Sequence, residues 1–292
     1  MKKKLLVTGA SGFLGWNLCQ MAQADWQVYG TGFAKNIQIP GVHFRHIDLR
    51  NFVELKQFLL DIQPDGVIHT AAQSNPNYCQ LNPQESYEIN VRTSGDLASL
   101  CAEMDIPLVF TSTDLVFDGQ HSPYRETDPV CPLSVYGEHK VAAERLIQNA
   151  HPGAVLARMP LMFGVAASAQ SFIQPFVKIL RSGQELKLFV DEFRTPVSAE
   201  TAARGLLLIL QKQFKGILHL GGQERLSRYQ FGQQMVEVLQ LDPTLLKPCH
   251  QADVPMAAPR PRDVCLDSSL AYSLGYVTRS IREELERLHD HL

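Results

Sequence analysis

The segment from Leu5 to Gly15 constrains the fold of this chain more than any other. It reads LLVTGASGFLG, so glycines 9, 12 and 15 follow a short apolar run and open a helical stretch. Gly9 permits a tight turn, Gly12 lets a ligand approach the backbone, and Gly15 lets the helix pack close to the strand. The helix start also supplies unpaired N–H groups and a partial positive charge. The segment therefore predicts a strand–turn–helix unit that binds a pyrophosphate, with a turn that binds nothing as the alternative.

Strand and helix patterns alternate through the first 160 residues. The predicted strands are Leu5–Thr8, Trp26–Tyr29, Phe44–Ile47, Gly66–His69, Pro107–Phe110 and Ala154–Ala157, and the predicted helices run from about Gly12 to Ala24, Phe52 to Ile62, Pro83 to Met104 and Ser134 to Asn149. Because the strands are short and almost continuously apolar, they predict a parallel sheet with helices on both faces. The fold class is therefore α/β, a doubly wound Rossmann sheet.

The pattern loosens beyond Arg158. Predicted helices are Phe172–Arg181, Ala199–Leu210, Tyr229–Gln240 and Ile281–His289, predicted strands are Leu186–Phe189 and Ile217–Leu220, and prolines crowd a turn-rich connection over 243–261. This arrangement predicts a Rossmann domain over 1–160 and a smaller, irregular substrate-binding lobe over 161–292. The two parts are expected to interleave as one structural unit.

Composition and charge exclude several classes of partner. The net charge of −3 gives no electrostatic reason to expect nucleic acid or an anionic membrane surface. No apolar run approaches the roughly 18–20 residues that span a bilayer. The six cysteines form no C-x-x-C pair and no metal-ligand spacing with histidine, so no metal site is predicted. Scattered cysteines are typical of the reducing cytoplasm, where this chain is expected to reside.

The end of the second strand bears on the choice between NAD and NADP. An acidic residue there would bind a ribose 2′-hydroxyl and repel a 2′-phosphate. The sequence over 29–35 is YGTGFAK and contains no acid, while Lys35 could reach a phosphate and Thr31 could donate to it. The segment favours NADP(H) and leaves NAD(H) open. The alternative for Lys35 is an ordinary exposed lysine.

Tyr136 and Lys140 form a pair with Y-x-x-x-K spacing. Residues four apart share one helix face, so the phenol and the ammonium group are predicted to point into the same space. Hydride addition to a ketone creates an alkoxide that needs a proton, and a free tyrosine titrates near about 10. A nearby lysine cation and an oxidised nicotinamide would lower the pKa of the tyrosine toward working pH. The pair therefore predicts a proton donor for carbonyl reduction.

Three hydroxyl residues end the fifth strand, in the segment FTSTD over 110–114. The Y-x-x-x-K spacing alone is a weak signal because many helices contain it by chance. It gains weight from its position after this strand, whose end carries Thr111, Ser112 and Thr113. Polar capping of the strand end is the alternative.

The glycine spacing G-x-x-G-x-x-G resembles that of extended short-chain dehydrogenases. Carried onto this sequence, the resemblance implies cofactor contacts from Gly9, Ser11, Gly12, Phe13, Leu14, Gly15, Asp48, Leu49, Thr70, Ala71, Ala72, Asn90, Thr111, Ser112, Tyr136 and Lys140. Asp48 is expected to contact the adenine amino group, Asn90 to brace the sheet edge and Lys140 to hold the nicotinamide ribose. For Asn90, a mid-helix residue with no role is the alternative.

Three further segments resemble the dTDP-4-dehydrorhamnose reductase family. They are STDLVFDG over 112–119, YRETDP over 124–129 and RPRDVCLD over 260–267. The chain is also similar to the regulatory β subunit of methionine adenosyltransferase in the same group, notably in FRTPV over 193–197. The resemblance implies NADPH-dependent reduction of a 4-keto group on a nucleotide-linked deoxy-sugar. It also implies that Tyr136 donates the proton and that Thr113, with Ser112 as the second choice, hydrogen-bonds the reacting oxygen.

Departures from the family pattern leave alternatives open. Leu115 replaces an aromatic residue, and the segment over 190–196 lacks the D-Q-x-G-x-P-T form of the reductases. Arg194 in that segment is the candidate to meet a substrate phosphate, with a surface salt bridge as its alternative. A sugar-nucleotide epimerase or dehydratase, or a non-catalytic NADP-binding regulatory subunit, are the competing functions. A homodimer is compatible with the fold, and no motif fixes the oligomeric state.

Overall fold

The computed structural model describes residues 2–33 and 37–292. Its strands are β1 (Lys3–Thr8), β2 (Trp26–Gly32), β3 (His43–His46), β4 (Gly66–His69), β5 (Leu108–Thr113), β6 (Val155–Met159), β7 (Met162–Phe163), β8 (Leu186–Phe189), β9 (Phe193–Arg194), β10 (Val197–Ser198), β11 (Gly216–His219), β12 (Leu226–Ser227) and β13 (Leu246–Cys249). Seven of them form a parallel sheet in the order β11-β6-β5-β4-β1-β2-β3. The predicted doubly wound Rossmann sheet is confirmed.

Helices cover both faces of this sheet. They are α1 (Phe13–Ala22), α2 (Phe52–Ile62), α3 (Pro76–Leu81), α4 (Pro83–Tyr87), α5 (Thr93–Glu103), α6 (Val135–Ala150), α7 (Ile173–Arg181), α8 (Ala199–Gln211), α9 (Arg228–Val238), α10 (Ser269–Ser273) and α11 (Ile281–Leu288). Helices α1 and α8 pack one apolar core against the strands, and α2, α5 and α6 pack a second core on the other face. Among the described residues, no helix has both the length and the apolar character to cross a bilayer.

The second part of the chain contributes to the central sheet and also builds a core of its own. Strand β11 pairs with β6, and α8 packs beside α1. A separate apolar cluster joins α7, β8, α9, β13 and α11. The turn-rich connection predicted over 243–261 contains a strand at 246–249, because Leu246 inserts into this cluster and β13 pairs with β8.

The long helix predicted over Pro83–Met104 is interrupted. The structure places a π-helical turn at Glu88–Arg92 between α4 and α5. The hydroxyl of Thr93 donates to the backbone carbonyl of Glu88 at 2.9 Å, so a side chain supplies a hydrogen bond to a carbonyl within the π-helical turn. Pi-helical turns are frequent at functional sites, and this one carries Asn90 toward the carboxyl end of β4.

Candidate active site

The first cavity lies at the carboxyl ends of β1, β2 and β4 and has a volume of about 410 Å³. Half of the predicted cofactor residues line it. These are Gly9, Ser11, Gly12, Thr31, Asp48, Leu49, Thr70, Ala71 and Ala72. The carboxyl edge of a parallel sheet is where ligands bind in open α/β folds.

The glycine turn at this cavity is closely packed. Gly9 has a φ of +70°, and a Cβ there would lie 2.7 Å from the backbone of Ala71. A Cβ on Gly15 would lie 2.2 Å from the Gly9 carbonyl oxygen, so only glycine lets α1 start this close to the turn. Gly12 caps α1 without a side-chain hydrogen bond. The first N–H groups of α1 are therefore left without a side-chain acceptor, which suits a pyrophosphate.

Other predicted residues around the turn have different surroundings. Phe13 lines a second cavity, and the Leu14 side chain packs in the core, which leaves its backbone N–H as the group that could meet a phosphate. Thr31 is inaccessible to solvent and its hydroxyl has no hydrogen-bond partner within the described ranges, so it is not presented to a phosphate. Lys35 lies outside the described residues. The role assigned to it stays a prediction.

Asn90 fixes the loop that follows β4. Its side-chain oxygen accepts from the backbone N–H of Gln73 at 2.9 Å, and its amide donates to the Gln73 carbonyl at 3.0 Å. Deeper in the sheet, Thr111 donates to the His69 carbonyl at 2.9 Å. These bonds give the cavity a rigid floor, because each satisfies backbone groups that the loop would otherwise leave unpaired.

The second cavity, of about 330 Å³, adjoins the first. The two cavities meet at two places along the chain. Gly12 lines the first cavity and the next residue, Phe13, lines the second; in the same way Gln73 lines the first and Ser74 the second. Of the predicted reaction centre, Thr113 and Tyr136 border the second cavity, whereas Lys140 is not among the residues that line it. The lining also includes Asp114, Glu192, Arg194, Arg228 and Arg260.

Tyr136 and Lys140 occupy the first turns of α6. The Ser134 hydroxyl caps this helix by accepting from the Gly137 N–H. The Lys140 ammonium group donates to the Thr111 carbonyl at 2.7 Å and lies 4.3 Å from the Phe110 ring centroid. Burial lowers the pKa of Lys140 to about 7. The lysine is thus a buried amine at the end of β5, one helical turn from the phenol, and its charge is lost as the pH rises through about 7.

The protonation of Tyr136 depends on its surroundings. Burial raises the pKa of Tyr136, the negative charge of Asp114 raises it further, and a hydrogen bond from Thr113 lowers it. Burial raises the pKa of Asp114 to about 6 against the opposing charge of Arg194. The pKa of Tyr136 is thus raised in this structure, not lowered as the Y-x-x-x-K pattern predicted, because burial and Asp114 outweigh the hydrogen bond from Thr113. The phenol is held in its protonated form, which is the state a proton donor requires.

Replacing Lys140 by methionine should stabilise the protein more at pH 6 than at pH 9. The folded-state pKa of about 7 lies below the ordinary 10.5, so the folded state binds fewer protons between these values and wild-type stability rises with pH there. Linkage gives a difference of about 2–3 kcal/mol between the two gains. Urea unfolding at both pH values measures it. An equal gain in the free energy of unfolding at the two pH values would contradict the lowered pKa of Lys140.

An arginine cluster forms the far wall of the second cavity. Arg194 lies 3.5 Å from Asp114 and from Glu192, and Arg228 donates to Glu192 at 2.9 Å. Burial alone would raise the pKa of Glu192, but Arg194 and Arg228 together hold it below its usual value. With Arg260 also lining the cavity, three arginines face two carboxylates. The wall therefore carries one positive charge in excess.

Arg194 is nearly inaccessible, with 5% of its side chain exposed. It also donates to the carbonyls of Phe193 and Pro261, so most of its N–H groups have partners within the protein. Its predicted contact with a substrate phosphate stays a prediction. Sequence reasoning missed Arg228 and Arg260 as site residues. Arg228 keeps one buried guanidinium nitrogen without a hydrogen-bond partner in the described chain, and Arg260 meets only the Ala258 carbonyl and the Asn77 side chain among those residues.

A second buried charge pair supports the strand ends from below. Arg158 on β6 makes a bidentate contact with Glu144 on α6, at 3.1 and 2.9 Å, and both side chains are almost fully buried. Glu144 also accepts from the Ser112 hydroxyl at 2.5 Å. Ser112 is thereby committed to this pair, which leaves Thr113 as the hydroxyl beside the phenol.

A family model described as the RmlD substrate binding domain matches residues 3–292. The chain belongs to this family. Among curated proteins it is 28% identical to the probable low-salt glycan biosynthesis reductase Agl14 of Haloferax volcanii, over 97% of this chain and 96% of that protein. It is 29% identical to the bovine methionine adenosyltransferase 2 subunit beta, over 95% and 84%.

Solved structures of the RmlD kind have the same fold. A dTDP-4-dehydrorhamnose reductase from Clostridium acetobutylicum superposes with a TM-score of 0.87 at 26% identity, covering 99% of each chain. The corresponding reductase from Bacillus anthracis, solved with NADP, gives a TM-score of 0.89 at 21% identity over the whole of both chains. The resemblance to dTDP-4-dehydrorhamnose reductases is confirmed at the level of the family. The chain is thus related to sugar-nucleotide reductases and to a subunit of a different enzyme.

Proposed function

We propose that this protein reduces a 4-keto group on a sugar linked to a nucleotide diphosphate, with NADPH as the reductant. The observation that carries the proposal is the adjacency of the two cavities. One holds a glycine turn suited to a dinucleotide pyrophosphate, the other is bordered by Thr113, Tyr136 and an arginine cluster. A ketone in the second cavity would lie beside a nicotinamide that extends from the first.

The residues of the first cavity fit a dinucleotide. The open N-terminus of α1 would hold the pyrophosphate, and the apolar side chains of Ile47, Leu49 and Ile89 offer a slot for a purine. When bound, the reduced cofactor supplies a hydride to the carbonyl carbon. The work left to the protein is to orient the ketone and to deliver one proton to its oxygen.

The reacting oxygen would lie between Thr113 and Tyr136. Hydride addition to the carbonyl carbon places a negative charge on that oxygen, and the Tyr136 phenol donates its proton to give the alcohol. The resulting phenolate would be stabilised by protonated Lys140 one turn along α6, and by Thr113 when its hydroxyl turns from Asp114, to which it donates at 3.1 Å, toward the phenolate. Burial of all three groups strengthens these interactions because water does not screen them.

The arginine cluster suits the diphosphate of a nucleotide sugar. Arginine forms planar, charge-assisted hydrogen bonds to phosphate oxygens. Arg260 has no carboxylate partner among the described side chains and is half-buried, so it is the cation of the cluster with the most freedom to bind a phosphate. Arg194 is expected to support it by holding the two carboxylates in place.

Oxidation of NADPH in the presence of an enzymatically generated dTDP-4-keto-6-deoxy-sugar tests this proposal. We expect steady oxidation that depends on the sugar nucleotide. Arg260→Ala should raise KM by about 10–100-fold with a smaller effect on kcat, since it removes one charge-assisted contact. Arg225→Ala is the matched control, because Arg225 pairs with Asp263 outside the cavity. Tight NADPH binding without oxidation would overturn the reductase for this substrate.

The similarity to methionine adenosyltransferase 2 subunit beta favours a second candidate, a regulatory subunit that binds NADP without turnover. An epimerase or dehydratase would regenerate its cofactor, so net NADPH oxidation distinguishes the reductase from both. A protein that binds NADPH, reduces no sugar nucleotide and co-elutes with a methionine adenosyltransferase catalytic subunit would support the regulatory role.

A further inference from the structure

Arg50 occupies the part of the first cavity that neighbours the end of β2. It follows β3, and the backbone N–H of Ile47 donates to the carbonyl of Gly32 at 3.0 Å, so the segment after β3 runs directly beside the end of β2. Among the described residues that line this cavity, Arg50 is the only lysine or arginine. In a Rossmann fold, residues at this position distinguish NADP from NAD.

Two side chains hold the Arg50 guanidinium in place. Asp48 accepts in a bidentate fork, with Nε 2.9 Å from one carboxylate oxygen and Nη2 2.7 Å from the other. The Phe33 ring centroid lies 5.3 Å from the guanidinium carbon, which is a cation–π distance. About 40% of the Arg50 side chain is still exposed. The fork uses one edge of the guanidinium, and the other N–H groups remain for an anion.

The same bidentate contact with Arg50 neutralises the negative charge of Asp48. An unpaired carboxylate this close to the end of β2 would repel a 2′-phosphate, because the two groups carry charges of the same sign. Arg50 neutralises Asp48, and the hydrogen bond from Arg50 lowers the pKa of that carboxyl. Glu85, the other acid of the cavity, accepts from the Tyr78 hydroxyl. The end of β2 itself contributes no acid.

We propose that Arg50 is the residue that selects NADP over NAD, by binding the 2′-phosphate and by neutralising Asp48. The inference rests on the proposed use of a nicotinamide dinucleotide and goes beyond it, since it assigns the selection to a residue after β3. It also replaces Thr31, whose hydroxyl is buried, and competes with Lys35 for the same role.

Calorimetric titration with NADPH, NADH, 2′,5′-ADP and 5′-ADP tests the assignment without turnover. In Arg50→Ala the affinity for NADPH and 2′,5′-ADP should fall about 10–100-fold, since a charged contact is lost and Asp48 is unpaired. Affinity for NADH and 5′-ADP should hold or rise. Adding Asp48→Asn to Arg50→Ala should restore part of the NADPH affinity, because the exposed acid is removed.

Arg45→Ala is the matched control. Arg45 also lies over an aromatic ring, 5.0 Å from the Phe58 centroid, and pairs with Asp61, but it is outside the cavity. Its affinities should match the wild type. Equal losses for NADPH and NADH in Arg50→Ala, or a selective loss in Lys35→Ala with none in Arg50→Ala, would overturn the inference. Wild-type protein that binds neither dinucleotide would overturn the proposed function as well.

Discussion

Replacing Tyr136 by phenylalanine should lower kcat for reduction of the keto sugar by about 10²–10⁴-fold, the usual contribution of general acid catalysis. The phenylalanine ring fills the same space in the second cavity and lacks only the hydroxyl that donates the proton. NADPH affinity should change little, because the pyrophosphate turn and the purine slot lie in the first cavity. Steady-state kinetics and calorimetric titration measure the two quantities separately.

Tyr87→Phe is the control for this variant. Tyr87 is a largely exposed tyrosine on α4 that contacts His139 edge-on and lines neither cavity. Its kcat should equal that of the wild type. If Tyr136→Phe retained full turnover, another group would have to supply the proton, and the assignment of Tyr136 would be wrong.

Replacing Arg158 by methionine should lower the free energy of unfolding by about 3–5 kcal/mol, because it leaves a buried carboxylate without its partner. Glu144 would lose two hydrogen bonds and keep only the one from Ser112. Arg158 also packs over the Phe117 ring at 5.1 Å, so an apolar side chain preserves part of the contact. Urea denaturation with unchanged m-values measures the loss.

Two companion variants separate the lost charge pair from lost packing. The double variant Arg158→Met with Glu144→Leu should recover much of the stability, since neither member of the pair is left as an unpaired buried charge. Arg92→Met breaks an exposed pair with Glu88 and should cost at most about 0.5 kcal/mol. A single-variant loss as small as that of Arg92→Met would show that Glu144 and Arg158 are solvated in solution.

Local sequence patterns were sufficient for the central sheet and the glycine turn. The strands are short apolar runs bounded by turn residues, and the glycines at 9, 12 and 15 each meet a steric demand within the same eleven-residue segment. Tyr136 and Lys140 are four residues apart on one helix, so their common face follows from helix geometry. Each of these predictions depends on neighbours in sequence.

The features that the sequence did not reveal depend on contacts between distant segments. Arg228 and Arg260 reach one cavity from different parts of the chain, and Arg158 meets Glu144 from another strand. No periodicity marks such pairs. The interruption at Glu88–Arg92 had a local signal in the clustered Asn90, Thr93 and Ser94, whose side chains compete for backbone groups. Helical periodicity alone concealed it.

Isotopic labelling of the transferred hydride tests the proposed reduction most directly. The protein is incubated with NADPH deuterated on the transferred position of the nicotinamide and with the dTDP-4-keto-6-deoxy-sugar, and the sugar product is analysed by mass spectrometry and NMR. In the wild type we expect a product one mass unit heavier than that formed with unlabelled NADPH, with the deuterium on C4, and in Tyr136→Phe a strongly reduced yield. Bound NADPH with an unlabelled, unreduced sugar would contradict the proposed reduction.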